Sequence, residues 1–177
     1  MSIRDININI VLLVILIVVI SFFAGKHLFN VYGVKQPLST ELKAIDGVDT
    51  VELIENNNRT DIKVSLKPKV DLYKIYQEIA ETSADELGEK KGEILVRENN
   101  SSSLNKVYYQ IHYAIYEGIS TNKFTNMKDN IEKNLNDSDI KYKLWVNNNK
   151  VLLRLDGKEK SLYRIVSRNN KGGAENG

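Results

Sequence analysis

The stretch Val48–Leu66, V-D-T-V-E-L-I-E-N-N-N-R-T-D-I-K-V-S-L, decides how this chain folds. Its second half alternates cleanly: Ile62, Val64 and Leu66 fall on one side, Asp61, Lys63 and Ser65 on the other. A period of two is the pattern of a half-buried strand. In the first half, Val51 and Leu53 alternate with Thr50 and Glu52 over Val48 to Ile54. Between the halves stand Asn56, Asn57 and Asn58, and Asn tolerates the positive φ of a tight turn. The stretch is expected to be a β-hairpin of strands Val48–Ile54 and Thr60–Leu66.

Outward from the hairpin the period lengthens. On its N-terminal side Leu38, Leu42 and Ile45, with Ser39 or Thr40 as a cap, predict a short helix that stops at Gly47. On its C-terminal side Pro68 breaks the strand and Asp71 caps a helix. Leu72, Ile75, Tyr76, Ile79, Ser83 and Leu87 share one face of that helix, and Gly88 ends it. Lys90, Lys91 and Gly92 then turn the chain into a short strand over Glu93–Arg97, and Asn99 to Ser103 is a polar loop.

Leu104 to Ile119 fits two periods. Leu104, Val107, Tyr108, Ile111 and Ile115 suit a helix, while Val107, Tyr109, Ile111, Tyr113 and Ile115 suit a strand. The aromatic content favours β, but the length exceeds the usual strand of about 5–6 residues, and a helix ending near Gly118 is expected. A second helix follows over Phe124–Leu135, with Phe124, Met127, Ile131 and Leu135 on one side. The chain then reads as a three-stranded meander: Ile140–Val146, a turn at Asn147 to Asn149, Val151–Leu155, a turn at Asp156-Gly157, and Ser161–Ser167.

The expected class is α+β: short antiparallel sheets packed with about four helices over 38–168, with 38–98 and 104–168 as candidate sub-units. A spacer, 33–37, precedes this domain and a Gly- and Asn-rich tail, 169–177, follows it. Leu38–Leu66 and Phe124–Leu155 share one plan of helix, strand, Asn triplet and strand. They are read either as two copies of an α-β-β unit or as a coincidence in an Asn-rich chain. In order of elements the plan resembles the ring-building and BON-like modules of bacterial envelope and sporulation assemblies. It also resembles the ferredoxin-like periplasmic domains of bitopic pilus-assembly proteins. The resemblance covers about two-thirds of the chain, and no shared motif carries a residue role across.

Ahead of the domain, Ile10 to Ile20 is entirely Ile, Val and Leu, and Phe22, Phe23 and Ala24 extend the run past Ser21. With Ile8 and Asn9 the segment reaches the lower limit of about 17 residues for a spanning helix, so 1–32 is expected to be a membrane anchor with its transmembrane helix at about 8–24. A cleaved leader is the rival. It fits poorly, since cutting after Ala24 or Gly25 puts Phe22 or Phe23 where a small residue belongs. Arg4 beside Asp5 on one side, and Lys26 and Lys35 on the other, leave the positive-inside rule nearly balanced. A short N-terminal tail before a large domain fits a signal anchor with the domain exported. His27, Phe29 and Tyr32 follow the span as an interfacial collar or as its last turns.

Composition narrows the function. Removing anchor and tail leaves about 135 residues, the size of one domain or two very small ones. With no cysteine, disulfides, Cys-based zinc sites and thiol catalysis are excluded. A net charge of +2 implies no nucleic-acid partner, and a KH-like reading also lacks a GxxG loop. Abundant Asn, Ile and Lys with only two prolines is the habit of AT-rich bacterial coding sequence.

No residue set stands out as catalytic, cofactor-binding or metal-binding. Glu117 lies five positions after His112, which misses the one-turn spacing of HExxH zinc enzymes. Asp137 with Asp139, and Asp46 with Asp49 and Glu52, are acidic groups that lack the closing Glu and placed Gly of a calcium loop. Gly88 and Gly92 flank Glu89-Lys90-Lys91 after a helix, so they form a turn and no phosphate cradle. Glu78, Glu81, Asp85, Glu86 and Glu89 read as a solvated helix flank, and Lys158, Lys160, Arg164, Arg168 and Lys171 as a basic C-terminal patch. Tyr108, Tyr109, Tyr113 and Tyr116 crowd one segment, either as core edge or as a contact surface for a partner. The function expected from this pattern is non-enzymatic: a single-pass membrane protein whose exported domain binds envelope proteins or itself. The alternative is an anchored small-ligand sensor or hydrolase built on His112, Tyr113 and Glu117, which requires a concave pocket around His112.

Overall fold

A computed structural model describes residues 8–28, 35–97, 101–136 and 138–168. The expected tail at 169–177 and most of the spacer lie outside the described residues, as does Asp137. The order of elements is α1 (Ile8–Leu28), α2 (Gln36–Ala44), β1 (Val48–Asn56), β2 (Arg59–Leu66), α3 (Leu72–Leu87), β3 (Lys91–Val96), α4 (Ser102–Thr121), α5 (Phe124–Leu135), β4 (Lys141–Val146), β5 (Lys150–Asp156) and β6 (Ser161–Ser167). The class is α+β, as the alternation of the two periods indicated.

The hairpin forms with Val51 opposite Val64 and Leu53 opposite Ile62, which puts the apolar side chains of both strands on one face. Asn57 and Asn58 supply the turn with φ of 46° and 65°. Asp71 caps α3 by accepting a hydrogen bond from the Lys74 amide at 3.0 Å. Gly47 takes φ +97°, and a Cβ there would stand 2.6 Å from Ile75 Cδ1, so only glycine lets α3 settle against the end of α2. β3 then joins the first sheet parallel to β2, giving the order β1-β2-β3. The expectation of antiparallel sheets alone therefore needs correcting. The chain spends α3 on a crossover, which is what a parallel neighbour requires.

The second sheet is an antiparallel meander in the order β4-β5-β6. α4 resolves the ambiguous segment as helix, capped by the Ser101 hydroxyl, which accepts from the Leu104 amide at 3.5 Å. Its buried stripe is Leu104, Ile111, Ala114, Ile115, Gly118 and Ile119. Helical periodicity thus prevailed over β propensity, because this stripe meets α5 and one face of the meander. The Asp156-Gly157 signal marks a turn of a different kind from the one it suggests. Gly157 and Lys160 close the loop through a backbone bond of 2.9 Å, and Asp156 is buried beneath it.

Two apolar clusters result. One joins α4, α5 and the inner face of the meander through residues such as Ile115, Ile131, Leu153 and Leu155. The other joins α2, α3 and the first sheet through Leu38, Leu42, Ile62, Ile75 and Ile79, and it also takes in Leu152 and Tyr163 from the meander. β5 is consequently buried on both faces. The candidate sub-units 38–98 and 104–168 share a core contact across the second sheet.

α1 is helical over 21 residues. Every described side chain on it, Ile10 to Gly25, is exposed, and the least exposed large apolar residue is Val11 at 37%. Among the described residues no helix is long and apolar enough to cross a membrane, and to that extent the expected transmembrane helix is not supported. The sixteen residues with described side chains make about 24 Å of helix, against a hydrocarbon core of about 30 Å.

Candidate functional site

Two places in the molecule hold concentrated polar or aromatic chemistry. The first is the seam between the sheets. The link from β2 to α3 belongs to neither ladder nor helix, so its backbone groups need other partners. Lys69 there has φ of 61°, in the left-handed region. The meander supplies the partners. The Tyr163 hydroxyl donates to the Lys67 carbonyl at 2.7 Å and accepts from the Val70 amide at 3.1 Å. The Ser161 hydroxyl accepts from the Lys69 amide at 2.8 Å. Arg154 Nη1 donates to the carbonyls of Val70 at 2.5 Å and Lys69 at 3.2 Å.

Behind these bonds sits an ion pair. Arg154 Nη2 lies 2.9 Å from Asp156 Oδ2, both side chains about nine-tenths buried, and Ser161 donates to Asp156 Oδ1 at 2.6 Å. A buried charge is tolerable only when paired and hydrogen-bonded, and here each partner serves the same link. Burial pushes the Tyr163 phenol above its ordinary pKa, against the pull of the Val70 amide. At the margin of the seam Lys150 pairs with Glu93 at 2.5 Å, and Tyr73 stacks on Trp145 with centroids 6.5 Å apart. The cluster is structural in geometry: it fastens backbone, and every polar group in it except Arg154 Nε is engaged. It went unread in the sequence because its members lie 84 to 96 positions from their partners. The signal that was present is the run Val151-Leu152-Leu153-Arg154-Leu155, too apolar for a strand with one wet face.

The second place is the outer face of α4. Tyr109 and Tyr113 are 67% and 66% exposed and Tyr116 40%. His112 sits among them, its ring 3.8 Å from Tyr113 and 4.9 Å from Tyr109, with Nδ1 at 2.6 Å from the Tyr109 carbonyl. Tyr109 meets Tyr113 edge to face at 6.3 Å, and the hydrogen bond between them raises the Tyr113 pKa. Tyr108 instead lies half-buried against the core, with the Arg164 guanidinium 4.9 Å over its ring. The crowded tyrosines therefore divide into Tyr108 at the core edge and Tyr109, Tyr113 and Tyr116 exposed on the outer face.

The candidate triad does not assemble. Five residues carry Glu117 about 140° around the helix from His112. Glu117 instead borders a crevice between α4 and α5 of about 20 Å³, alongside Gly118, Met127 and Asn130, and His112 is not part of it. An open hollow of about 330 Å³ beside Lys128, Glu132, Tyr142 and Leu144 also excludes His112. There Tyr142 donates to Glu132 at 2.9 Å, and burial together with that carboxylate pushes its phenol up to about 12.

The remaining candidates disperse. Among the described residues no group of three or more His, Asp or Glu could hold a metal ion. Glu52 is taken by Arg97 at 2.7 Å, and Glu81, Asp85, Glu86 and Glu89 face solvent. Of the basic patch, Arg164 lies over Tyr108, while Arg168 covers Phe124 at 4.5 Å and donates to the Asn147 carbonyl. These arginines fasten the C-terminal strand to neighbouring elements.

Fold and surface together define an α+β protein of two three-stranded sheets joined by a polar seam, with an exposed apolar helix ahead of them and an aromatic face on α4. No protein-family model, curated protein or solved structure matches the chain.

Proposed function

We propose that this is a single-pass, membrane-anchored, non-enzymatic protein whose α+β domain lies outside the cytoplasm and works by binding envelope proteins or copies of itself. One observation carries the reading. Every described side chain of α1 is exposed, and from Ile10 to Phe23 only Ser21 is polar. An apolar surface of that extent demands a non-aqueous neighbour. The described run supplies about 24 Å of helix against a hydrocarbon core of about 30 Å, so anchoring requires the bilayer to thin locally or the flanking residues to reach the interface. The aromatic face of α4 supports the interaction half, since tyrosine gives large contact area at low entropic cost.

The test is extraction. Membranes from cells making the full chain are washed with alkaline carbonate, beside a chain lacking Ile8–Leu28. Retention of the first and release of the second is expected. Release of both ends the anchor reading. Reporter fusions at the C-terminus then give orientation, with an active extracytoplasmic reporter expected.

A further inference from the structure

Resting on the reading of the domain as an interaction module, we infer that the partner on α4 is a second copy of this chain, packed antiparallel about a two-fold axis. A two-fold interface must be self-complementary, each residue meeting its counterpart's partner. The exposed face of α4 has that property. Lys106 and Glu117 are eleven residues apart, close to three full turns, so both lie on the same flank of the helix. Both are exposed, and neither takes part in an ion pair among the described residues. An axis crossing the helix between Ile111 and His112 brings Lys106 of each copy level with Glu117 of the other. The rotation keeps a flank on its own side, so the two ion pairs form together along one edge.

The same axis orders the aromatic rings. Tyr109 of one copy falls level with the gap between Tyr113 and Tyr116 of the other, and the reverse holds by symmetry. Six tyrosines then interdigitate as knobs into gaps along the seam. The face carries one cation and one anion, so like copies meet without net repulsion. A shift of one residue in either direction loses this alignment of charge and ring.

The experiment is a charge swap read by sedimentation velocity on the full chain in a non-ionic detergent. The wild-type chain is expected to form a concentration-dependent dimer. Lys106→Glu alone and Glu117→Lys alone should each weaken it by about tenfold or more, because each puts like charges together twice. The double variant, Lys106→Glu with Glu117→Lys, should recover the wild-type dissociation constant. All four chains keep their apolar stripe, and circular dichroism checks that each is folded.

A monomer at every concentration overturns the inference, and a dimer indifferent to both single changes places the contact on another face and does the same. Single losses that the double variant fails to recover mean that the face meets something other than itself. Monomeric chains that bind anionic vesicles, and lose binding on Tyr109→Ser with Tyr113→Ser, assign the stripe to lipid and overturn it too. Failure of the broader interaction reading is distinguishable, since a monomer that cross-links to neighbouring envelope proteins in cells keeps that reading and removes only self-association.

Discussion

The hydroxyl of Tyr163, in the last strand, donates to the carbonyl of Lys67 at 2.7 Å, across 96 positions of sequence. The same oxygen accepts from the Val70 amide, so one phenol closes both sides of the link between β2 and α3. Tyr163→Phe keeps the ring and leaves two backbone groups without partners. A loss of about 1–3 kcal/mol is expected, read as a lower urea midpoint with an unchanged slope. An unchanged midpoint would mean that water replaces the hydroxyl at no cost.

Arg154 and Asp156 form a pair whose members cannot be removed singly without stranding a buried charge. Arg154→Met should cost about 3–5 kcal/mol, and Asp156→Leu a similar amount. The double change, which leaves no charge behind, should be less damaging than the sum of the two. Equality of the double with that sum would show that the pair contributes no coupling.

Gly118 lies where α4 crosses α5, and a Cβ there would stand 2.6 Å from the Cβ of Met127. Alanine raises helix propensity by about 1 kcal/mol, yet the clash forces the helices apart at a cost of about 1–3 kcal/mol. Gly118→Ala is therefore expected to lower the melting temperature. A higher melting temperature for Gly118→Ala would mean the helices part freely.

Tyr142 links pH to stability at the alkaline end. Burial, then the bond to Glu132, raises its phenol from the ordinary 10.0 to about 12 in the folded chain. The folded state then holds the proton more tightly than the unfolded state. Its stabilising contribution is complete below pH 10 and is lost as pH rises through about 12. Absorbance at 295 nm should show a late-titrating tyrosine phase to which Tyr142 contributes, and Tyr142→Phe should diminish that phase and flatten the alkaline loss of stability. An undiminished late phase in Tyr142→Phe would assign it wholly to other tyrosines.

Most elements were legible because they have a single wet face. In β2, Ile62, Val64 and Leu66 alternate against Asp61, Lys63 and Ser65, and the strand lies where that pattern puts it. The cap at Asp71 and the stop at Gly88 likewise follow from local chemistry. What periodicity could not supply is the partner of a second face. β5 buries Leu153 against α4 and α5 and Leu152 against the first unit, and no local rule names the loop that Arg154 would reach. The two Asn triplets also proved unlike in detail. Asn57 and Asn58 turn by positive φ, whereas the Asn147 side chain turns the other by accepting from the amides of Asn149 and Lys150. The α4 tyrosines could be counted from the sequence but not sorted, because exposure there depends on where α5 and the meander lie.

The grip of Arg154, Ser161 and Tyr163 on residues 67–70 also has a meaning in time. During synthesis the first sheet can close as soon as β3 emerges, but the link into α3 gains its Ser161 and Tyr163 bonds only when β6 leaves the ribosome. A chain cut short before Ser161 would leave the Lys67 carbonyl and the amides of Lys69 and Val70 without these partners and one edge of β5 open, a sticky surface that proteases and chaperones recognise. The closing strand is thus the molecule's own test of completeness.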